Sequence, residues 1–243
     1  MQTDIQLTEE TNMKNILLIG GSYGIGLAIA KEIESGNNVF VASRTNENLE
    51  DLNVTHIPFD ALNDTLDLST LPAVIDGLVY CPGSINLRPF RGLKPEAFEN
   101  DLQINFISLV KVIQSILPNL TASEQSSIVL FSSVAASMGM PFHTSVAASK
   151  GAIEGFAKAL AAEYAPKIRV NVIAPSLTDT PLADKFLNNE TKQEKSAERH
   201  PLKRFGKADD IAQMASFLLS DKSSWISGQT FNVDGGMSTL LVN

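Results

Sequence analysis

The sequence predicts one doubly wound α/β domain on a parallel sheet of seven strands. Three observations carry that expectation. Short β-rich runs alternate with helical patterns along all 243 residues. Several of those runs, among them ILLI and IVLF, are apolar throughout, and continuous apolarity is what strands covered on both faces require. No Pro/Gly/Ser-rich linker and no internal repeat divides the chain. With 44% hydrophobic residues there is material for a large core, which excludes a disordered or low-complexity protein.

The elements follow in order. Residues 1–12, MQTDIQLTEETN, read as a loose acidic tail, the reverse of a secretory signal, and Met13 would serve equally well as a start. The domain is expected over 13–243. Its first strand, 15–19, runs into a glycine-rich turn and a helix at 24–35, whose Ser35-Gly36-Asn37 end suggests a glycine C-cap. Strands at 39–42, 54–59 and 76–80 come next. Residues 63–73 are too few for a full crossover helix, so that connection is abbreviated. A long helix at 95–117, a strand at 127–132, a helix at 147–164 and a strand at 168–173 continue the alternation. Residues 178–207 form a long, charged, partly helical excursion. Placed after the sixth strand, it is expected to act as a substrate lid; a solvated surface helix is the alternative. A helix at 208–220 and a strand at 229–233 complete a parallel sheet with helices on both faces.

Charge and composition exclude several classes of function. The net charge is −8 and there is no basic run, so nucleic acid and anionic membrane surfaces are not expected partners. No uninterrupted apolar run approaches the roughly 18–20 residues that span a bilayer. Charged residues make up 19%, below the usual figure of about 25%, which points to surface buried in an oligomer. The single cysteine, Cys81, permits no intramolecular disulfide and points to a reducing, cytoplasmic compartment. His56, His143 and His200 have no partners at metal-ligand spacing, so no metal is expected.

The turn Gly20-Gly21-Ser22-Tyr23-Gly24-Ile25-Gly26 lies between the first strand and the first helix. Glycines there let the backbone approach a pyrophosphate, and a helix N-terminus supplies free N–H groups and positive dipole. Glycines serving only a tight turn are the alternative. The second strand ends Val41-Ala42-Ser43-Arg44. An acidic residue there would hold a ribose diol, whereas arginine suits a 2′-phosphate, so NADP is favoured over NAD. An ordinary exposed arginine is the alternative for Arg44.

With the turn, the length and the strand order in hand, residues 13–243 resemble the short-chain dehydrogenase/reductase family, which has a Rossmann-type fold. The resemblance implies cofactor contacts from Gly20, Ser22, Tyr23, Gly24, Ile25 and Gly26, and from Arg44, Asp60 and Ala61 at the adenosine end. Gly83, Lys150, Pro175, Thr178 and Thr180 are implied on the nicotinamide side. It further implies catalytic roles for Asn105, Ser133 and Lys150. Pro201-Leu202-Lys203-Arg204-Phe205-Gly206 and Val233-Asp234-Gly235-Gly236 match C-terminal signatures of the family. The departures are Ile19 for a threonine, Ser176 for a glycine, and Tyr80-Cys81-Pro82-Gly83 for Asn-Asn-Ala-Gly. The most serious departure is Val146, which stands where the family has its active-site tyrosine, four residues before Lys150 and thirteen after Ser133.

In the family the tyrosine gives or takes the proton that accompanies hydride transfer, and valine can do neither. His143 is the first replacement: His-x6-Lys is similar to the Tyr-x6-Lys of the family's enoyl-reductase branch. The expectation is a neutral imidazole facing Ser133 and donating to the substrate oxygen. A loop histidine held by a backbone carbonyl is the alternative. Tyr80, expected along the cofactor, and Thr144 and Ser145 are weaker candidates. His200 is expected to be structural, and Cys81 a small unreactive side chain. The implied function is an NADP(H)-dependent oxidoreductase of a small carbonyl or activated-alkene substrate. A catalytically inactive dinucleotide-binding sensor or partner subunit is the alternative. The small-residue stripe Ala147, Gly151, Gly155 and Ala159 points to a homotetramer, or failing that a homodimer; packing on the protein's own sheet is its other reading.

Overall fold

The computed structural model describes residues 13–242; the acidic stretch 1–12, expected as a loose tail, lies outside them. The strands are β1 (Lys14–Ile19), β2 (Asn37–Ser43), β3 (Val54–Pro58), β4 (Gly77–Tyr80), β5 (Ser126–Phe131), β6 (Ile168–Pro175), β7 (Thr178–Asp179), β8 (Gly206–Lys207) and β9 (Thr230–Val233). Seven of them form one sheet in the order β3-β2-β1-β4-β5-β6-β9, every pair parallel. The chain winds outward from β1 on one side and from β4 on the other. The crevice between those strands' carboxyl ends is where ligands bind in such sheets.

The helices are α1 (Gly24–Ile33), α2 (Pro95–Leu102), α3 (Ser108–Ala122), α4 (Thr144–Tyr164), α5 (Asp184–Leu187), α6 (Glu190–Arg199) and α7 (Ala208–Leu219). They account for the continuous apolarity of the strands. Leu17, Ile19, Leu78, Ile128 and Leu130 point into one layer, against α3 and α4. Ile16, Leu18, Val79 and Val129 point into the other, against α1 and α7. Each such side chain, fully buried, contributes about 1.5–3 kcal/mol, so both faces of every central strand must be apolar.

Two expectations are corrected here, and one alternative is set aside. Gly36 does not cap α1 in a left-handed conformation: Glu34–Gly36 is a 3-10 turn, and the Asn37 side chain donates to the Ile33 carbonyl at 2.8 Å instead. The long helix of 95–117 is α2, a π-helical turn at Gln103–Ile107, and α3. Together these run from Pro95 to Ala122, long and apolar enough by composition to cross a membrane, although no uninterrupted apolar run in it reaches that length. Polar residues such as Lys111 and Asn119 break the linear run, while Leu109, Val112, Ile113, Ile116 and Leu120 form a ridge buried on the sheet. Finally, Gly151 and Gly155 of α4 are exposed, and a Cβ on either would meet nothing within 4 Å. The small-residue stripe does not pack on the protein's own sheet.

The excursion 178–207 carries α5 and α6, and its two ends are joined by the short β7–β8 ladder, Thr178 opposite Gly206 and Asp179 opposite Lys207. It is a closed loop rising from the carboxyl edge of the sheet.

Candidate active site

Local stereochemistry shapes the turn after β1. Gly20 and Gly24 have φ of +79° and +54°, a region that suits glycine. A Cβ on Gly26 would overlap the Gly20 carbonyl oxygen. Ser22 is buried, and Thr45 Oγ1 and Asn48 Nδ2 donate to its Oγ and carbonyl at 3.3 and 3.0 Å. Tyr23 N-caps α1 without a side-chain bond to the helix, and the first turn holds no acidic residue. The first-turn N–H groups are therefore left for a ligand, and a side-chain-free cradle of this kind fits a pyrophosphate. Tyr23 itself is 48% exposed, with its hydroxyl donating to Glu47 at 3.3 Å.

At the adenosine end Arg44 is exposed. Asp60 accepts from Leu62 N at 3.0 Å and Asn63 Nδ2 at 2.9 Å. These bonds, with a smaller contribution from the Arg44 guanidinium, hold its carboxyl below the usual range. Asp60 thus shapes its own turn, in which Ala61 follows, and faces Arg44.

On the nicotinamide side three elements converge. At the end of β5, Ser133 caps a short 3-10 turn, its Oγ accepting from Ala135 N at 3.2 Å. From α4 comes Lys150, buried, with Nζ donating to the Phe131 carbonyl at 3.0 Å. Burial lowers this lysine to about 8, against the opposing pull of Cys81 and Asp101. The π-helical turn supplies Asn105, buried completely. A Cβ on Gly83 would stand 3.0 Å from Asn105 Oδ1 and 3.3 Å from Lys150 Nζ, so a glycine at 83 lets the two approach. Pro175, Thr178 and Thr180 border the same cleft. Gly24 sits against Thr180, whose Cβ would be 3.3 Å from a Cβ there. The turn at the end of β6 therefore meets the phosphate cradle.

Two residues here escaped the sequence reading. Ser84 Oγ donates to Asp101 Oδ1 at 2.6 Å and accepts from Asn105 Nδ2 at 3.0 Å. Asp101 is 3% exposed, and among the described residues its Oδ2 has no partner. A carboxylate four residues before Asn105, on the inward side of a helix, was the available signal.

Val146 is buried and borders the cleft beside Ser133, Lys150 and His143. The loop before α4 delivers His143. Phe142 has φ of +69°, costly for an aromatic residue, and its carbonyl accepts from Arg88 N at 3.1 Å. His143 Nδ1 lies 2.7 Å from the Pro141 carbonyl. A carbonyl therefore fixes the ring, as the alternative reading expects, while His143 also borders the cleft. One expectation is reversed. A carbonyl only accepts, so Nδ1 keeps its hydrogen and the neutral ring shows a bare Nε2. Neutral His143 accepts a proton; only the imidazolium donates one there.

Tyr80, Thr144 and Ser145 do not border the cleft. Tyr80, expected along the cofactor, is buried with its hydroxyl on the Ile104 carbonyl at 3.0 Å, and burial raises it. It has the same strand parity as Leu78 and shares its layer. Thr144 is exposed, and Ser145 is buried away from the cleft. His200 is buried, Nδ1 donating to the Ser196 carbonyl at 2.6 Å and Nε2 accepting from Ser176 Oγ at 2.9 Å, a structural role. Burial pushes the Cys81 thiol up to about 12, although Lys150 opposes it, which keeps it unreactive at neutral pH.

An anion cradle at the switch point of a doubly wound sheet, with lysine, serine and asparagine gathered at the neighbouring strand ends, defines a dinucleotide-dependent oxidoreductase. Comparison with known proteins narrows the class: a family model described as Enoyl-(Acyl carrier protein) reductase matches residues 20–238, and the chain belongs to the short-chain dehydrogenase/reductase family. The 3-oxoacyl-[acyl-carrier-protein] reductase FabG of Thermotoga maritima is 32% identical over 242 residues, covering 92% of this chain and 97% of that one. L-xylulose reductase of Bos taurus is 30% identical over 92% of this chain and 96% of its own. The ligand-free aldohexose dehydrogenase of Thermoplasma acidophilum superposes with a TM-score of 0.87 at 26% identity, covering 96% and 97% of the two chains. Members of the family are NAD(P)-dependent oxidoreductases.

Proposed function

We propose that the protein is an NADP(H)-dependent reductase of a small carbonyl or activated-alkene substrate, with His143 in place of the usual tyrosine as proton donor. The observation that carries this reading is the convergence of Ser133, His143 and Lys150 on one cleft of about 480 Å³, with Asn105 directly behind Gly83. The Gly20–Gly26 turn, Arg44 and Lys150 would hold the dinucleotide, which when bound supplies hydride. Ser133 Oγ is placed to orient the substrate oxygen. In the reducing direction His143 imidazolium gives its Nε2 proton to that oxygen; in the oxidising direction the neutral ring takes it back. Lys150, protonated below about pH 8, adds positive field beside the developing oxyanion.

The test is NADPH oxidation followed by absorbance across ketones, quinones and enoyl thioesters. Turnover of any of these supports the reductase reading. Val146 keeps a second reading in view: tight NADPH binding without turnover of any class would mark a dinucleotide-binding sensor or partner subunit.

Cofactor choice follows from Arg44. A charge-assisted contact to a 2′-phosphate is worth roughly 1.5–3 kcal/mol, so NADPH is expected to bind at least tenfold more tightly than NADH. Glu47, three residues on, is engaged by the Tyr23 hydroxyl. Fluorescence titration of Arg44→Ala is expected to abolish the difference; unchanged NADPH affinity would defeat the assignment.

The open face of α4 at Gly151 and Gly155 supports assembly as a homotetramer, with a homodimer as the smaller alternative. Light scattering at micromolar concentration checks it, and a monomeric mass refutes it. The single cysteine, which permits no intramolecular disulfide, accords with a reducing, cytoplasmic setting.

A further inference from the structure

The protein carries a net charge of −8, yet the charged side chains bordering its cleft are all cationic: Lys150, Lys185, Lys192, Lys195 and Arg199. Among the described residues no aspartate or glutamate borders it. Four of the five cations belong to the excursion after β6, and three of those lie on α6.

The charges of α6 are sorted by face. Lys192, Lys195, Ser196 and Arg199, at i, i+3, i+4 and i+7, border the cleft. Glu190, Glu194 and Glu198 follow one another at i+4, and the last two border a separate surface depression. Like charges at i, i+4 repel by a few tenths of a kcal/mol each, whereas alternating signs would attract by as much. Like charges thus share each face, and among the described residues no ion pair joins the two sets. Lys185 and Lys192 are already engaged. Lys185 donates to the Ile85 carbonyl at 3.1 Å, and Lys192 to the Lys185 carbonyl and Asn188 Oδ1, both at 2.8 Å. Neither Lys195 nor Arg199 has a side-chain hydrogen bond among the described residues. His200, adjacent to Arg199, ties the end of α6 to Ser176 in the cleft wall, so these two cations stand on an anchored helix. Apolar side chains, including Leu87, Met140, Val146 and Phe186, line the same cleft.

We infer that this lid selects an anionic substrate: a carbonyl or enone compound carrying a carboxylate or phosphate on an apolar stem, the anion held by Lys195 and Arg199. The inference rests on the reductase reading above and deepens it by naming the substrate class. Cations concentrated at a cleft in an otherwise acidic protein focus the field on the entering anion. Two basic side chains without side-chain partners among the described residues supply ion-paired bonds to a carboxylate or phosphate, which are stronger than those they make to a neutral oxygen.

Calorimetry on the protein saturated with NADP+, which has no hydride to give, separates binding from turnover. Two matched pairs serve as probes: 3-oxooctanoate against its methyl ester, and 4-oxopentyl phosphate against 5-hydroxypentan-2-one. At least one anion is expected to bind tenfold or more tightly than its neutral partner, and the pair that shows this identifies carboxylate or phosphate. The advantage is expected to shrink between 50 and 500 mM NaCl and to disappear in the double variant Lys195→Gln/Arg199→Gln, whose altered side chains are both exposed. Equal affinity within both pairs, no binding by either anion at millimolar concentration, or an advantage that survives the double variant overturns the inference. So does a double variant that loses NADP+ affinity but keeps the ratio of anion to neutral, since the cations then serve the cofactor. Failure of the reductase reading shows separately, as NADPH bound with no ketone, quinone or enoyl thioester turned over.

Discussion

His143→Ala is expected to lower turnover by about 100-fold or more, the usual effect of removing a positioned general acid. The ring is fixed by the Pro141 carbonyl on Nδ1, so proton transfer is expected through Nε2. Lys150 sets the expected pH dependence of reduction. Lowered by burial to about 8, it loses its charge above that pH, and with it the field that favours an oxyanion. Steady-state reduction rates from pH 6 to 9.5 check this, with a fall expected above about pH 8. Val146→Tyr supplies the complementary arm. Position 146 borders the cleft beside Ser133 and Lys150, so a phenol there is expected to create or raise ketone reduction and to restore it in the His143→Ala background. Unchanged turnover in His143→Ala would assign the proton to another group.

Much of this molecule is legible in the sequence because its physics is local. ILLI and IVLF read as strands covered on both faces, and the two layers of core confirm why: successive side chains in each enter opposite layers. The cradle is visible because glycine suits positive φ and a close approach to a carbonyl. What stayed hidden depends on geometry that spacing does not encode. Nothing in Gln103-Ile104-Asn105-Phe106-Ile107 breaks helical periodicity, yet the turn there is π-helical, and it carries Asn105. The accepting face of His143 depends on a carbonyl two residues away and on the left-handed Phe142 between them. The sorted charges of α6 were legible by spacing, but which face met the cleft was not, because the excursion folds back through the β7–β8 ladder. Tyr80 could have been placed correctly: strand parity with Leu78 puts it in the α3–α4 layer, away from the cleft.

Gly26→Ala is expected to be among the most damaging single substitutions in the protein, and through sterics alone. Gly26 is buried in the first turn of α1 without a positive φ, so alanine meets no backbone strain there and is the better helix former. The added methyl would nevertheless overlap the Gly20 carbonyl oxygen and stand 3.0 Å from Gly21 Cα and 3.1 Å from Gly20 C. All three neighbours are backbone, so no side chain can rotate away, and relief requires α1 to lift from the turn that forms the phosphate cradle. Overpacking of this kind costs about 1–3 kcal/mol, and the same displacement moves the helix N-terminus from the pyrophosphate. Thermal unfolding is expected to shift down by several degrees, as such a cost implies for a domain of this size, roughly 2–4 °C per kcal/mol, and NADPH affinity is expected to fall at least tenfold. Gly36→Ala is the matched control: nothing lies within 4 Å of its Cβ position, and its φ is not positive. Substitution there is expected to be neutral or to stabilise by up to about 1 kcal/mol through the unfolded chain. If the two variants melt together and bind NADPH alike, the close contact of Gly26 with Gly20 does not hold the cradle.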